Sequence, residues 1–296
     1  MWKAGAVGAA AVAFGMVRLR WPAPAGAQEG RAAAAEEICV LTPELTEGPY
    51  YVDETLIRYD ITEGKAGVPL TLRIAVNDAT SCAPLANAAV DIWHCDALGY
   101  YSGVDANNPG GEVDEAAVAE AAAGTFLRGV QLTDADGVVE LRTIYPGWYA
   151  GRTVHIHMMV QTDGAAEGER GEETYEGGQV NHTGQLFFDD ALTEEIFASV
   201  EPYAGRDDAE RLRNDDDTIF GEHGDEPGFQ LSLTPVTEGS PGDGFVGTIT
   251  IGVDPEATPN PVGGDGRPSN QGGDGGPPPG GPPPGEPDGT PPADAP

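Results

Sequence analysis

The chain has 296 residues, 39% of them apolar, which is enough for one large or two small domains with a sizeable core. Its 49 acidic against 15 basic residues give a formal net charge of -34, which argues against nucleic acid or an anionic membrane as partner, because both would be repelled. The acidity is read as a solvated surface rather than as a binding feature.

Residues 1–36 are set apart. "KAGAVGAAAVAFGMV" is apolar and rich in small residues but too short to be a convincing membrane span, and "WPAPAGAQEG" after it offers a cleavage site near Ala27. An export signal followed by a flexible N-terminus is expected, and with it a secreted or extracytoplasmic location. An unprocessed N-terminus is the alternative, since the only early basic residue is Lys3 while Arg18 and Arg20 follow the apolar run. Cys39, Cys82 and Cys95 fit an exported protein with one disulfide and one spare thiol. Three pairings are open, as is the state with all three reduced.

Residues 37–253 form the folded domain. Short β-branched or alternating runs at 68–76, 87–95, 126–133, 137–144, 153–160, 183–188 and 244–253 predict strands, and "DADG" at 134–137 predicts a hairpin turn. Helices are predicted at 112–122, where the segment reads as an insertion, and at 192–205, with Thr193 as the starting cap and Gly205 at the end. Several short strands with a few short helices and long loops mean an all-β protein, an antiparallel β-sandwich. Residues 254–296 turn abruptly to Gly, Pro and Asp and read as a disordered tail with no chemistry of its own.

The chemistry gathers around "TVHIHMMV" (153–160). On a strand, His155 and His157 share a face, where they either hold a metal ion or are two hydrogen-bonded core histidines. The preceding stretch, "RTIYPGWYAG" (142–151), brings Tyr145 and Tyr149 near them, with Arg152 immediately after. Further upstream, "VDIWHCDALGYYSG" (90–103) carries Tyr100 and Tyr101. A tyrosine ligates a metal only once ionised, which suits a strongly Lewis-acidic ion such as iron(III).

Four blocks in order, "GPYY" (48–51), "VDIWHCDALGYYSG", "LTDADGVVELRTIYPGWYAGRTVHIH" (132–157) and "GQLFF" (184–188), resemble the intradiol ring-cleavage dioxygenases, the family of protocatechuate 3,4-dioxygenase and catechol 1,2-dioxygenase. The resemblance runs from about Thr46 to Phe188. It implies a non-haem iron(III) centre with Tyr101, Tyr149, His155 and His157 as ligands. By the same resemblance Tyr149 also takes up a substrate proton, Arg152 stabilises the ketonised substrate with Gln185 beside it, and Thr46, Gly48, Pro49 and Tyr50 line the catechol pocket. The implied activity is cleavage of a catechol-type aromatic by dioxygen, between its two hydroxylated carbons, to a cis,cis-muconate. The partners are then a small aromatic diol and dioxygen, with no nucleic acid and no membrane after processing, while a homodimer stays open.

The segment between Tyr149 and His155 is shorter than in protocatechuate dioxygenases, and an acidic insert occupies 162–178. Tyr100 and Tyr145 are read as packing or pocket residues, His94 as structural, His182 as surface, packing or pocket edge, and His223 as loop. Two other functions compete: a secreted β-sandwich binding module without catalysis, and a copper or zinc hydrolase built on the histidine pair.

Overall fold

The computed structural model describes residues 40–258, apart from 54, 170, 207–209, 224, 225 and 227. The expected export signal, Cys39 and nearly all of the Gly/Pro tail lie outside the described residues. Two four-stranded sheets pack face to face. The first takes the order β4 (Val138–Ile144), β1 (Pro69–Asp78), β10 (Phe245–Val253), β9 (Ser232–Pro235), and the second the order β3 (Arg128–Leu132), β2 (Ala89–Trp93), β5 (His155–Thr162), β8 (Gln179–Phe187). The sandwich is therefore all-β, as expected, but not purely antiparallel: β1 and β10 run parallel, from Leu70↔Phe245 to Asp78↔Val253.

Alternation explains the core. Leu70, Leu72, Ile74 and Val76 of β1 are fully buried against Val90 and Ile92 of β2, Ile156, Met158 and Val160 of β5, and Ile251 of β10. Each such side chain contributes about 1.5–3 kcal/mol of transfer free energy. The second sheet is buried on its other face as well, because the chain from 42 to 61 runs over it. That segment is tied down by backbone bonds from Leu45 N–H to the Thr183 carbonyl (2.9 Å) and from Val130 N–H to the Leu56 carbonyl (2.8 Å). Burial on both faces is why "VDIW" and "HIHMMV" read as near-continuous apolar runs.

The structure corrects several expectations. Asp134–Gly137 does make a tight turn, with Gly137 N–H donating to the Asp134 carbonyl (3.0 Å), yet it is not a hairpin: β3 pairs with β2 while β4 pairs with β1, so the turn is a corner between the sheets. The second helix spans Asp190–Ser199, following α1 (Glu115–Ala122), and its cap is Asp189, whose Oδ1 accepts Leu192 N–H at 2.9 Å. Thr193 is buried inside this helix, α2. Its Oγ1 donates back to the Asp189 carbonyl and meets the Tyr145 hydroxyl at 2.7 Å. The acidic insert holds a small hairpin, β6 (Ala165–Glu167) with β7 (Thr174–Glu176), and α3 (Thr218–His223) follows a 3-10 turn at Asn214–Asp216. None of these was predicted.

Cys82 is disulfide-bonded and Cys95 is a free, buried thiol. Among the described residues no helix is long and apolar enough to cross a membrane.

The chain past β10 is structural for a few more residues. Buried Asn181 on β8 donates through Nδ2 to the Pro255 carbonyl (2.8 Å) and the Ala257 carbonyl (3.1 Å). A chain ending at Val253 leaves that donor unpaired, at a cost of about 1–3 kcal/mol. Calorimetry is expected to show it melting several degrees below a chain ending at Thr258. Equal melting temperatures would show that these bonds contribute nothing.

Candidate metal centre

The outer face of the second sheet carries the site. Trp93 pairs with His157 across β2 and β5, and His157 with Gln185 across β5 and β8, so period-two alternation sets His155, His157 and Gln185 on one face. Tyr50, Trp93, Cys95, Tyr101, Tyr149 and Met159 form a separate apolar cluster over this face, apart from the main core. The sequence-predicted tyrosines divide accordingly. Tyr101 and Tyr149 belong to the outer cluster, while Tyr100 and Tyr145 pack in the main core, their hydroxyls accepting Asp114 N–H (3.2 Å) and meeting Thr193 Oγ1 respectively.

The donor atoms converge. His155 Nε2 lies 3.1 Å from His157 Nε2 and 3.4 Å from the Tyr149 hydroxyl. The ring of Tyr101 lies 5.6 Å from that of Tyr149 and 6.1 Å from that of His157, centroid to centroid. His155 Nδ1 donates to the Thr153 carbonyl at 2.7 Å, which fixes the tautomer and leaves the lone pair on Nε2, directed into the site. Without a metal, His157 then fills the 3.1 Å contact by donating its own Nε2–H, and its buried Nδ1 has no hydrogen-bond partner. The Tyr101 hydroxyl is fully buried and likewise has none among the described residues.

A buried hydroxyl without a partner is destabilising, and so is the unpartnered Nδ1 of the buried His157 ring. A cation bound among these atoms would engage the Tyr101 oxygen and both Nε2 lone pairs. Burial pushes the Tyr101 phenol well above its usual range, with Tyr149 adding to the shift, and burial raises Tyr149 too, against the opposing charge of Arg152. Both are neutral phenols unless a strong Lewis acid draws their protons off. Burial also holds both histidines well below the ordinary imidazole range, so they present neutral nitrogen. Two phenol oxygens and two imidazole nitrogens suit a hard ferric ion. Among the described residues no group of three or more His, Cys, Asp or Glu gathers here, so the ligand set of a zinc or copper hydrolase is not assembled.

Arg152 borders the cluster. Its Nε donates to Asp217 Oδ2 (2.7 Å), Nη2 to Gln185 Oε1 (2.5 Å), and Nη1 lies 3.5 Å from both the Tyr149 hydroxyl and His155 Nε2. Gln185 Nε2 donates to the Thr46 carbonyl at 2.8 Å, which ties the arginine to the segment crossing the sheet. In that segment Gly48 has φ +75° and a Cβ there would lie 2.8 Å from His157 Cε1, so only glycine lets the backbone pass so close to the ring. Tyr50 stacks on Tyr101 at 4.5 Å and 25°, and Pro49 is exposed.

Sequence reasoning missed two neighbours. Trp93 stacks on His157 at 5.1 Å and 4°, a position that strand alternation through "VDIW" could have given. Asp217 sits in the acidic run 215–217, where nothing in the sequence marks it as the one buried member. The remaining histidines lie away from the donor atoms. His94 is saturated by the Cys95 carbonyl (2.8 Å) and Thr143 Oγ1 (2.7 Å). His182 takes the packing role among those open to it: it is fully buried on the inner face of β8, with Nδ1 3.0 Å from Glu44 Oε1. His223 is the last residue of α3 rather than loop.

The unpartnered phenol gives a direct test. Tyr101→Phe removes a buried hydroxyl that bonds to nothing, so the metal-free variant is expected to be as stable as the parent or more so, by about 1–3 kcal/mol. It is expected at the same time to lose iron(III) binding in a metal titration. A less stable variant would mean that the hydroxyl serves the fold instead.

Comparison with known proteins gives the family. The family model described as "Dioxygenase" matches residues 46–166. Catechol 1,2-dioxygenase 1 of Acinetobacter lwoffii is 28% identical over 147 residues, 42% of this chain and 43% of that protein. Chlorocatechol 1,2-dioxygenase of Pseudomonas putida is 30% identical over 156 residues, 47% of this chain and 52% of that one. The chain thus spans about half the length of the curated relatives it matches. A solved intradiol ring-cleavage dioxygenase from Tetranychus urticae superposes with a TM-score of 0.58 at 30% identity, over 75% of this chain and 98% of that one. By fold and by sequence, the chain belongs to the intradiol ring-cleavage dioxygenases.

Proposed function

We propose that the protein cleaves a catechol-type aromatic with dioxygen, breaking the ring bond between the two hydroxylated carbons and giving a cis,cis-muconate-type dicarboxylate. The observation that carries this reading is the buried, unpartnered Tyr101 hydroxyl beside the converging Nε2 atoms of His155 and His157. Both oxygen atoms of dioxygen enter the product, so catechol plus one dioxygen accounts for every atom of the diacid and no outside reductant is needed.

Tyr101, Tyr149, His155 and His157 would hold non-haem iron(III), which when bound supplies the Lewis acidity that ionises a chelating catechol and opens its ring to dioxygen. The protein's own groups do the rest. Tyr149 as a phenolate is a base at the right place to take a catechol proton, and the Arg152 guanidinium 3.5 Å from its oxygen favours the anion before that transfer. Once Tyr149 is neutral, Arg152 Nη1 is free to stabilise negative charge developing on the substrate oxygen, in a site where burial strengthens the interaction. Gln185 keeps Arg152 turned inward, and the stacked pair Tyr50–Tyr101 with Gly48 and Thr46 forms the wall against which a flat aromatic would lie.

An extracytoplasmic location is part of the proposal. It is supported by the apolar run within residues 1–36 and by the disulfide at Cys82, which persists in an oxidising compartment.

The test is iron loading followed by catechol under labelled dioxygen. A visible tyrosinate charge-transfer colour, one dioxygen consumed per catechol, both labelled atoms in a ring-opened diacid, and loss of all three on chelation are expected. A protein that stays colourless and consumes no dioxygen would instead be a binding module on the same fold. Arg152→Gln is expected to lower kcat by about 10²–10³ while leaving the colour, measured by stopped-flow absorbance.

A further inference from the structure

We propose that Asp217 is a positioning residue for this centre, its single carboxylate setting the direction of Arg152 and, through Thr153, the ring of His155. The inference rests on the reading of the site given above. Asp217 is 1% exposed, and all of its acceptor capacity is in use. Oδ2 accepts Arg152 Nε at 2.7 Å and Thr153 N–H at 2.9 Å, while Oδ1 accepts Ile219 N–H at 2.9 Å and Phe220 N–H at 3.2 Å and so caps α3.

Three residues earlier, Asn214 reinforces the same point: its Oδ1 accepts Thr153 Oγ1 at 2.7 Å and its Nδ2 donates to the Phe188 carbonyl at 2.8 Å. Thr153, held at both its amide and its hydroxyl, presents the carbonyl that receives His155 Nδ1–H. An unbroken chain of hydrogen bonds therefore leads from the turn at 214–217 to an imidazole of the metal centre.

The same carboxylate decides where the guanidinium points. With Nε taken by Asp217 and Nη2 by Gln185, Nη1 is the nitrogen left facing the Tyr149 hydroxyl and His155 Nε2. Arg152 has only 13% of its side chain exposed, so it needs a counter-charge, and the buried Asp217 supplies it from the side away from the donor cluster. Groups that orient ligands in this way typically change metal affinity or activity by about 10–100-fold when altered.

The experiment compares Asp217→Asn, Arg152→Gln, their double variant, Asp217→Glu, and Asp215→Asn as an exposed control from the same acidic run. Each is measured for iron(III) affinity from the metal-free state, for kcat and KM per bound iron with catechol, and for the visible spectrum of its anaerobic catechol complex. Asp217→Asn is expected to bind iron about tenfold more weakly, to lose about 10–100-fold in kcat with a smaller change in KM, and to shift the visible band. Asp217→Glu, which keeps the charge, is expected to recover most of kcat, and Asp215→Asn to match the parent.

Because Asp217 acts on turnover through Arg152, adding Asp217→Asn to Arg152→Gln is expected to cost less than about threefold more. Losses that multiply in the double variant, or a parental kcat in Asp217→Asn, would overturn the proposal. So would a loss in both Asp217 variants that only tracks the fraction of folded protein seen by calorimetry. A parent protein that neither binds iron nor consumes catechol would sink the reading of the site itself, which this series shows separately.

Discussion

Everything about the site follows from placing two neutral imidazoles with their Nε2 atoms 3.1 Å apart where water does not reach. Two lone pairs cannot face each other there unless a proton or a cation lies between them. The surrounding structure holds the pair in that contact. The Thr153 carbonyl fixes one ring, Trp93 stacked on one side and Gly48 pressed close fix the other, and the segment from 42 to 61 seals the face. The two phenols then stand where their hydroxyls have little to bond to except whatever the nitrogens bind. Preorganisation of this kind concentrates the cost of an incomplete site in a few atoms and makes a cation the natural relief for all of them.

Much of this was legible because strand alternation is a rigid rule. A period of two put His155 and His157 on one face and marked the buried β1 run, since one residue of slip would invert every side chain. The family resemblance then singled out Tyr149 from Tyr145. What failed were features whose local chemistry is shared by different global outcomes. Asp-Ala-Asp-Gly makes the same tight turn whether its strands stay paired or part to opposite sheets, and only the partners of β3 and β4 decide. Thr193 and Asp189 are both good caps, and the acid four residues earlier won because Thr193 is needed inside, against Tyr145. Asp217 looks like its exposed neighbours Asp215 and Asp216, because burial of one acid in a polar run is set by an arginine 65 residues away. The small β6–β7 hairpin was missed since Ala165–Glu167 is exposed throughout and shows no alternation.

Electrostatics divides the molecule in two. A formal charge of -34 is spread over the chain, yet the pocket side of the second sheet is served by buried guanidinium groups, Arg152 beside the phenols and Arg128 donating to the Tyr50 and Ser102 carbonyls at 2.7 and 2.6 Å. Asp217 offsets the first of these charges, so the buried groups interact mainly with one another. Salt screens the surface charge far more than this buried pair.

The parallel pairing of β1 with β10 has a consequence for how the protein comes to exist. Leu70 has Phe245 as its neighbour, so the middle of the first sheet waits for the last of the described strands to be made. Until then β1 has only β4 beside it, and the inner face of the second sheet has half a cover. A nascent chain emptying through a narrow exit cannot complete this sandwich before β10 is released, so closure of the sandwich comes late. Late closure is a form of timing written into topology.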